Sequence, residues 1–198
     1  MKELTRNLVY FAVFSFAISS FTACGVDQSI SGSSADNASA SPGNSEYPKL
    51  AASLATAPFE TEDGSTFTVE DRKGKVLLLN LWGIWCRPCL KEMPHLAKLQ
   101  EKFRDNGLEV IGLNVGDADL EPEDFGKMKA FAEKLSLNYQ LVRITNKTSN
   151  DFAQVTQFGG VPLTVLVDRD GRMRGVFKGA SDAEIAKMNE MVAKVVTE

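Results

Sequence analysis

Continuous apolar runs in the chain after residue 75 alternate with segments in which apolar residues recur every three or four positions. Runs at 76–82 and 108–115 predict strands buried on both faces of a sheet. The 3.6-residue spacing over 88–103 and 125–135 predicts helices between and after these strands, with a bend at Pro94, which lacks a backbone donor. This part of the chain therefore predicts alternating strands and helices.

The flanking segments complete the pattern. An Asp63-Gly64 turn joins short extended pieces at 59–62 and 66–69 into a hairpin, and a similar turn at 168–171 joins strands at 163–167 and 173–177. A strand at 139–144, a short helix at 151–157 and a last helix that starts at the Ser181–Glu184 capping box are also predicted. The order βαβαβαββα after the first hairpin predicts an α/β fold with a mixed central sheet between helices.

The first 24 residues have the pattern of an export signal. Lys2 and Arg6 precede an apolar run at 8–21, which is too short to span a bilayer but suits a signal peptide. The small residues before Cys24 resemble a lipoprotein cleavage box, although Phe21 stands where leucine is usual. We expect Cys24 to be the lipidated N-terminus and a membrane anchor. The alternative is an ordinary signal peptide that leaves Cys24 as a spare thiol.

The segment after Cys24 is rich in Ser, Ala, Gly and Asn and has no apolar periodicity. This composition is typical of a flexible tether. We therefore divide the chain into a signal peptide at 1–24, a flexible linker at 25–55 and one domain at 56–198.

The length and net charge of the chain limit the classes of function that it could have. The chain has 198 residues, which suits one well-cored domain, and a formal net charge of −4. An acidic chain of this size is not expected to bind nucleic acid.

The candidate chemistry lies in the segment Trp85-Cys86-Arg87-Pro88-Cys89, where a predicted strand gives way to a helix. The free N–H groups and the dipole at a helix start favour a thiolate, so Cys86 is the expected nucleophile. Two intervening residues allow Cys89 to reach Cys86 and resolve a mixed disulfide. The redox group would be this cysteine pair, with no separate cofactor.

Two other interpretations of the pair are a zinc half-site and a static disulfide. Zinc needs two further ligands, and only Cys24 and the single histidine, His95, remain as cysteine or histidine donors. A bridge that closes so short a loop would add little stability. We therefore expect no metal and a redox-active disulfide.

The combined motifs resemble the TlpA/ResA-type membrane-anchored thioredoxins. The resemblance covers about residues 56–196 and rests on these residues: Asn80, Trp82, Trp85 to Cys89, Glu92, Pro94, Asn114 to Gly116, and Val161-Pro162. It implies a thioredoxin fold with an N-terminal β-hairpin extension.

The resemblance also implies roles for individual residues. Pro162 would be cis and lie against the cysteines, with the Val161 backbone free to bind an extended substrate. Asn80 occupies the place of a titratable aspartate in cytosolic thioredoxins, and Glu92 would exchange protons with the thiols, unless it is only a solvated surface residue. Trp82 and Trp85 are expected beside the site, with Trp85 shielding the disulfide.

The resemblance further implies a reductase outside the cytoplasm, facing the periplasm, on either the inner or the outer membrane. Its electrons would come from a membrane thiol carrier and pass to disulfides of exported proteins, with apocytochrome c, and so cytochrome c biogenesis, as one candidate. The cysteine motif itself allows either direction of electron flow, because Arg87 favours a thiolate and a buried Glu92 opposes it. A disulfide-forming oxidase, a peroxide reductase and a redox-silent peptide-binding module are the alternatives.

Overall fold

The computed structural model describes residues 46–198. Within them the predicted order of strands and helices is confirmed. The strands are β1 (Phe59–Glu60), β2 (Thr66–Phe67), β3 (Val76–Trp82), β4 (Leu108–Asn114), β5 (Gln140–Arg143), β6 (Leu163–Val167) and β7 (Met173–Lys178). The helices are α1 (Ala52–Ala55), α2 (Arg87–Phe103), α3 (Phe125–Lys134), α4 (Asn146–Thr156) and α5 (Asp182–Val195), with 3-10 turns at Glu70–Arg72 and Arg104–Asn106.

One seven-stranded mixed sheet organises the domain, in the order β2-β1-β5-β4-β3-β6-β7. Strands β3, β4 and β5 are parallel, β6 runs antiparallel to β3, and β7 runs antiparallel to β6. The predicted hairpin of β1 and β2 extends the sheet beyond β5. The fold is thus the expected α/β thioredoxin fold with an N-terminal hairpin.

Strand β3 is central, and all seven of its residues are buried. Its side chains alternate between two hydrophobic clusters, one on each face of the sheet. Leu77 and Leu79 pack with Phe152 of α4, while Leu78 packs with residues of α2 and α5, including Met188. Burying each such side chain contributes roughly 1.5–3 kcal/mol. This packing holds the end of β3, and the segment that follows it, in one place.

The boundary between linker and domain differs from the expected position at residue 56. Leu50 and Leu54 are buried in the core, and residues 52–55 form α1. The Leu50 N–H also donates to the carbonyl of Gly171, in the turn between β6 and β7. Residues 46–55 therefore belong to the folded domain, because two leucines and backbone hydrogen bonds attach them to it. The rest of the predicted linker, the signal peptide and Cys24 lie outside the described residues.

Two helices differ from their predicted limits. Helix α4 begins at Asn146 rather than near Asp151, because the Thr145 hydroxyl accepts the Thr148 N–H and caps an earlier start. Helix α2 continues through Pro94 to Phe103, and a bend at Pro94 stays a prediction. None of the helices described between residues 46 and 198 has the length and apolar character needed to cross a bilayer.

Candidate active site

The cysteine pair lies where β3 ends and α2 begins. Cys86 is the N-cap residue of α2, and its Sγ accepts a hydrogen bond from the Cys89 N–H at 3.2 Å. The two sulfurs form a disulfide, with an Sγ–Sγ distance of 2.05 Å. No acidic residue occupies the first turn of α2, so nothing there offsets the positive end of the helix dipole. This position favours a thiolate at Cys86 after reduction.

Both cysteines are buried in a small cluster that includes Trp82, Met93 and Met128. Val161 packs against this cluster, and the Val161-Pro162 peptide bond is cis, as the resemblance implies. Among the hydrogen bonds of residues 46–198, none uses the backbone of Val161. That backbone is available to an extended polypeptide, and substrate binding there stays a prediction.

The two tryptophans have different environments. Trp82 is fully buried and stacks on Phe131, with 4.9 Å between ring centroids. Trp85 is half-exposed, and its Nε1 donates to the Gly116 carbonyl at 3.1 Å. Trp82 therefore supports the cysteine cluster from within, whereas Trp85 lies on the surface beside Cys86.

Glu92 is 1% exposed, so it is not a solvated surface residue. The Asn80 amide donates to its Oε2 at 2.8 Å, and the Thr164 hydroxyl donates to its Oε1 at 3.1 Å. Asn80 also donates to Thr164 at 2.8 Å, which closes a triangle of three buried side chains. No cation within the described chain forms an ion pair with Glu92. The carboxylate is held by neutral donors alone.

These surroundings change the titration of Glu92. Burial raises its pKa to about 7, because the charged form loses its hydration, and the hydrogen bonds from Thr164 and Asn80 oppose the rise only in part. Burial also raises the pKa of Tyr139, and the negative charge of Glu92 raises it further. Glu92 therefore changes protonation near neutral pH, as a proton acceptor and donor requires.

Two residues near Glu92 were not among the sequence-based candidates. Thr164 lies directly opposite Asn80 in the β3–β6 pairing, and the phenol of Tyr139 is buried with no hydrogen-bond partner in residues 46–198. Gly112 lies opposite Asn80 on the other side, in β4, and a Cβ there would be 3.1 Å from the Trp82 Nε1 and 2.5 Å from Leu141. A polar threonine two residues after Pro162, inside an apolar strand, was the available signal for Thr164.

The remaining candidates are distributed as follows. Arg87 and Pro88 form the start of α2, and Pro88 supplies no N–H there. His95 is partly exposed on the same helix. Within residues 46–198 there is no cluster of three or more His, Cys, Asp or Glu side chains that could hold a metal ion. The redox group of the described site is the Cys86–Cys89 disulfide.

The arrangement can carry out thiol–disulfide exchange. The Cys86 thiolate would attack a substrate disulfide and release one substrate thiol, which leaves Cys86 in a mixed disulfide. Cys89 would then pass its proton to Glu92 and attack the Cys86 sulfur, which expels the second substrate sulfur as a thiolate. That thiolate would take the proton from Glu92, and the first substrate sulfur would take from water the proton that Cys86 had lost. Two electrons and two protons move from the protein to the substrate, and the reverse sequence oxidises a donor.

Known proteins share both the sequence and the fold. The AhpC/TSA family matches residues 48–176 of the chain. A thiol-disulfide oxidoreductase ResA from Geobacillus thermodenitrificans is 29% identical over 127 residues, which are 64% of this chain and 68% of the relative. The Bacillus subtilis ResA is 32% identical over 120 residues, which are 61% of this chain and 62% of the relative, or less than two thirds of its length.

A solved structure gives an independent comparison of the fold. The thiol:disulfide interchange protein of the thioredoxin family from Chlorobium tepidum aligns with a TM-score of 0.58 at 23% identity, over 74% of this chain and 99% of that protein. At this identity the likeness concerns the fold. Together with the matching relatives, it confirms the resemblance that the cysteine motif and its neighbours predict.

Proposed function

Because the chain belongs to the AhpC/TSA family and is a thiol-disulfide oxidoreductase of thioredoxin fold, we propose that it reduces disulfides in exported proteins from a membrane anchor at Cys24. Its electrons would come from a membrane thiol carrier, and apocytochrome c is a candidate substrate. The site would face the periplasm. The observation that carries the proposed direction is the burial of Glu92 with neutral hydrogen-bond donors only.

The direction of electron flow depends on how well the thiolate of the reduced pair is stabilised. A buried carboxylate near the pair disfavours a second negative charge, which makes the reduced form less stable and lowers the reduction potential. Arg87 acts in the opposite sense, but it is exposed and water screens its charge. The start of α2 also stabilises the Cys86 thiolate, so the potential itself is the decisive quantity.

Equilibration of the described domain with glutathione and with dithiothreitol measures that potential. A reductase should lie near the roughly −270 mV of thioredoxin, far from the roughly −120 mV of a strong periplasmic oxidase. Glu92→Gln should raise the potential by about 30 mV, the equivalent of one pKa unit of lost repulsion. A wild-type value above about −180 mV would instead support the disulfide-forming oxidase.

The proposed substrates can be trapped in cells. Cys89→Ala leaves Cys86 able to attack but removes the resolving thiol, so mixed disulfides should accumulate. We expect exported cysteine-containing proteins, with apocytochrome c among them, and the membrane electron donor. A Cys86→Ala, Cys89→Ala double variant is the matched control. Capture of the same proteins by the double variant would contradict exchange through Cys86.

The proposed anchor has a separate test. Cys24→Ser removes the lipid acceptor and should release the processed protein from the membrane fraction, because acyl chains supply the attachment at about 0.8 kcal/mol for each buried CH₂. Cys89→Ser is the control, since it removes a cysteine without affecting attachment. Membrane retention of processed Cys24→Ser would contradict the anchor while leaving the redox activity unaffected.

A further inference from the structure

Three large apolar side chains in residues 46–198 are exposed, and all three lie at the disulfide end of the sheet. They are Trp85, Leu90 and Leu120, which are 47%, 40% and 57% exposed. Trp85 precedes Cys86, Leu90 follows Cys89, and Leu120 lies in the loop after β4, whose carboxyl end is adjacent to that of β3. Single exposed apolar residues are common, but their concentration at one functional end indicates a binding surface.

The loop holds Leu120 outward in an unfavourable backbone conformation. Leu120 has a φ of +64°, a backbone angle that residues other than glycine and asparagine seldom adopt. The Asp117 carboxylate accepts the N–H groups of Asp119 and Glu121, at 2.9 and 3.0 Å, and the Asp117 N–H donates to the Glu121 carbonyl at 2.9 Å. The hydrogen bonds of Asp117 within the loop therefore keep Leu120 in its exposed position.

The same loop is attached to Trp85. The Trp85 indole donates to the Gly116 carbonyl, and Gly116 has a φ of +100°. A Cβ on Gly116 would be 2.7 Å from the Glu121 carbonyl oxygen and 3.3 Å from the carbonyl carbon of Leu120. Only glycine allows this approach. The Trp85 indole and the Leu120 backbone thus both lie next to Gly116. We call the exposed side chains of Trp85 and Leu120 the apolar strip, which starts beside Cys86.

Acidic side chains border the Leu120 end of this strip. Asp119 and Glu121 are exposed on either side of Leu120, and neither takes part in an ion pair with another residue of the described chain. Arg87 is at the Cys86 end. The strip therefore becomes negative with distance from the disulfide, and a complementary ligand would carry positive charge there.

We propose that Trp85, Leu120, Asp119 and Glu121 select the polypeptide around the substrate cysteine. The occupant is an extended segment with a large apolar residue near the reacting cysteine and lysine or arginine beyond it. The apolar side chain packs on Trp85 and Leu120, and the cation lies between Asp119 and Glu121. This selection deepens the proposed reduction of protein disulfides and rests on it.

Synthetic peptides test the selection. Each carries one cysteine as a mixed disulfide with 2-mercaptoethanol, followed by Leu or Ser and then by Lys or Glu. We expect the reduced wild-type domain to turn over the Leu/Lys peptide with a kcat/KM ~10- to 100-fold above that of the Ser/Glu peptide. Partial burial of one leucine and one partly screened charge pair together supply a difference of this size. Hydroxyethyl disulfide, which is small and neutral, measures the chemistry alone.

Substitutions in the loop test the apolar contact and the charge contacts of the proposed selection separately. Leu120→Asn accepts positive φ and keeps the loop, so it should lower the preference for leucine ~5- to 10-fold, whereas Leu120→Met should retain it. Asp119→Asn with Glu121→Gln should lower the preference for lysine ~3- to 10-fold and reduce its salt dependence. Asp105→Asn, which removes one exposed negative charge at the other end of β4, is the control and should change neither preference.

The outcomes distinguish this proposal from the proposed function. Unchanged peptide preferences in Leu120→Asn and in the double acid variant would overturn the selection, as would equal losses on all four peptides. All variants should reduce hydroxyethyl disulfide at the wild-type rate. If the wild type reduced neither hydroxyethyl disulfide nor any peptide, the proposed reductase function itself would fail.

Discussion

Glu92 and Arg174 are both buried charged residues, but they lie in different regions and have different partners. Glu92 belongs to α2, and its carboxylate contacts β3 and β6 at the end of the sheet that carries the disulfide. Within residues 46–198, its hydrogen-bond donors are the neutral side chains of Asn80 and Thr164. Arg174 belongs to β7, and its side chain is 2% exposed. Two carboxylates, from Asp168 and Glu198, bind its guanidinium group.

The difference in partners determines whether each charge can change. The hydrogen bond and charge of Glu198, with a smaller effect of Asp168, raise the pKa of Arg174 above its already high value, and the hydrogen bond from Arg174 lowers the pKa of Glu198. Arg174 therefore stays charged at every physiological pH. Glu92 has no oppositely charged partner among residues 46–198, so burial brings its pKa to about 7.

The comparison shows two uses of a buried charge. At Arg174 the charge connects the strand to the C-terminus through Glu198, and the ring of Tyr47 lies 4.2 Å from the guanidinium carbon, so the N-terminal segment joins the same cluster. At Glu92, three residues after Cys89 in α2, the charge is free to titrate. The first arrangement keeps its charge at every physiological pH, and the second can change protonation near pH 7.

The largest expected effect is on catalysis at Glu92. Glu92→Gln keeps the size and hydrogen bonding of the side chain but cannot accept the Cys89 proton, so disulfide exchange should slow by about 10²- to 10⁴-fold. Stopped-flow measurement of exchange between pH 5 and 9 should also show the loss of a titration near 7. If rate and pH profile matched the wild type, the proton would have to leave Cys89 through solvent.

Removing the charge of Arg174 should change the free energy of unfolding rather than the rate of disulfide exchange. Arg174→Met leaves Asp168 buried without its guanidinium partner and should lower the free energy of unfolding by about 3–5 kcal/mol. Arg72→Met is the matched control, because the Arg72–Glu109 pair is partly exposed and should contribute less than about 1 kcal/mol. Urea denaturation measures both. Equal losses in the two variants would contradict the structural role of Arg174, and folded Arg174→Met should retain wild-type exchange.

The third prediction concerns how the titration of the buried Glu92 changes the free energy of unfolding with pH. The folded protein holds the Glu92 proton up to pH 7, whereas the unfolded chain loses it near 4.5. Folding therefore gains from this group below pH 4.5, and the gain disappears as the pH rises to 7. Glu92→Gln lacks this dependence on pH. The difference in free energy of unfolding between Glu92→Gln and wild type should therefore shift by about 3 kcal/mol in favour of the variant from pH 4 to pH 8. Urea denaturation of both oxidised proteins at the two pH values measures this difference, and parallel stability profiles would contradict it.

The smallest expected effect sharpens the role of the neutral donors. Thr164→Val removes the hydroxyl that binds the Glu92 carboxylate while keeping the side-chain volume, so the pKa of Glu92 should rise by about one unit. NMR titration of the Glu92 carboxyl carbon measures the shift. Thr156→Val, which alters a buried threonine on α4, is the control and should leave that pKa unchanged. A lower pKa in Thr164→Val would contradict the hydrogen-bond assignment.

Local sequence was sufficient for much of this protein. Continuous apolar runs predict the buried strands, because a strand covered on both faces can bury a polar side chain only at a cost in free energy. The cysteine pair at a strand-to-helix junction predicts the redox group, because the helix start favours a thiolate. Glu92 follows Cys89 by three residues, which places the two about one helical turn apart in α2. These inferences involve residues close in the chain.

Contacts between distant segments were decided only by the tertiary structure. Thr164 meets Asn80 because β6 pairs with β3 in one particular register, and a shift of one residue would turn it to the opposite face. Tyr47 and Leu50 join the domain through β7 and the turn before it, although their surroundings in the sequence resemble a linker. Composition and periodicity describe how a segment folds locally, whereas sheet register and packing determine which distant side chains surround Glu92 and Arg174.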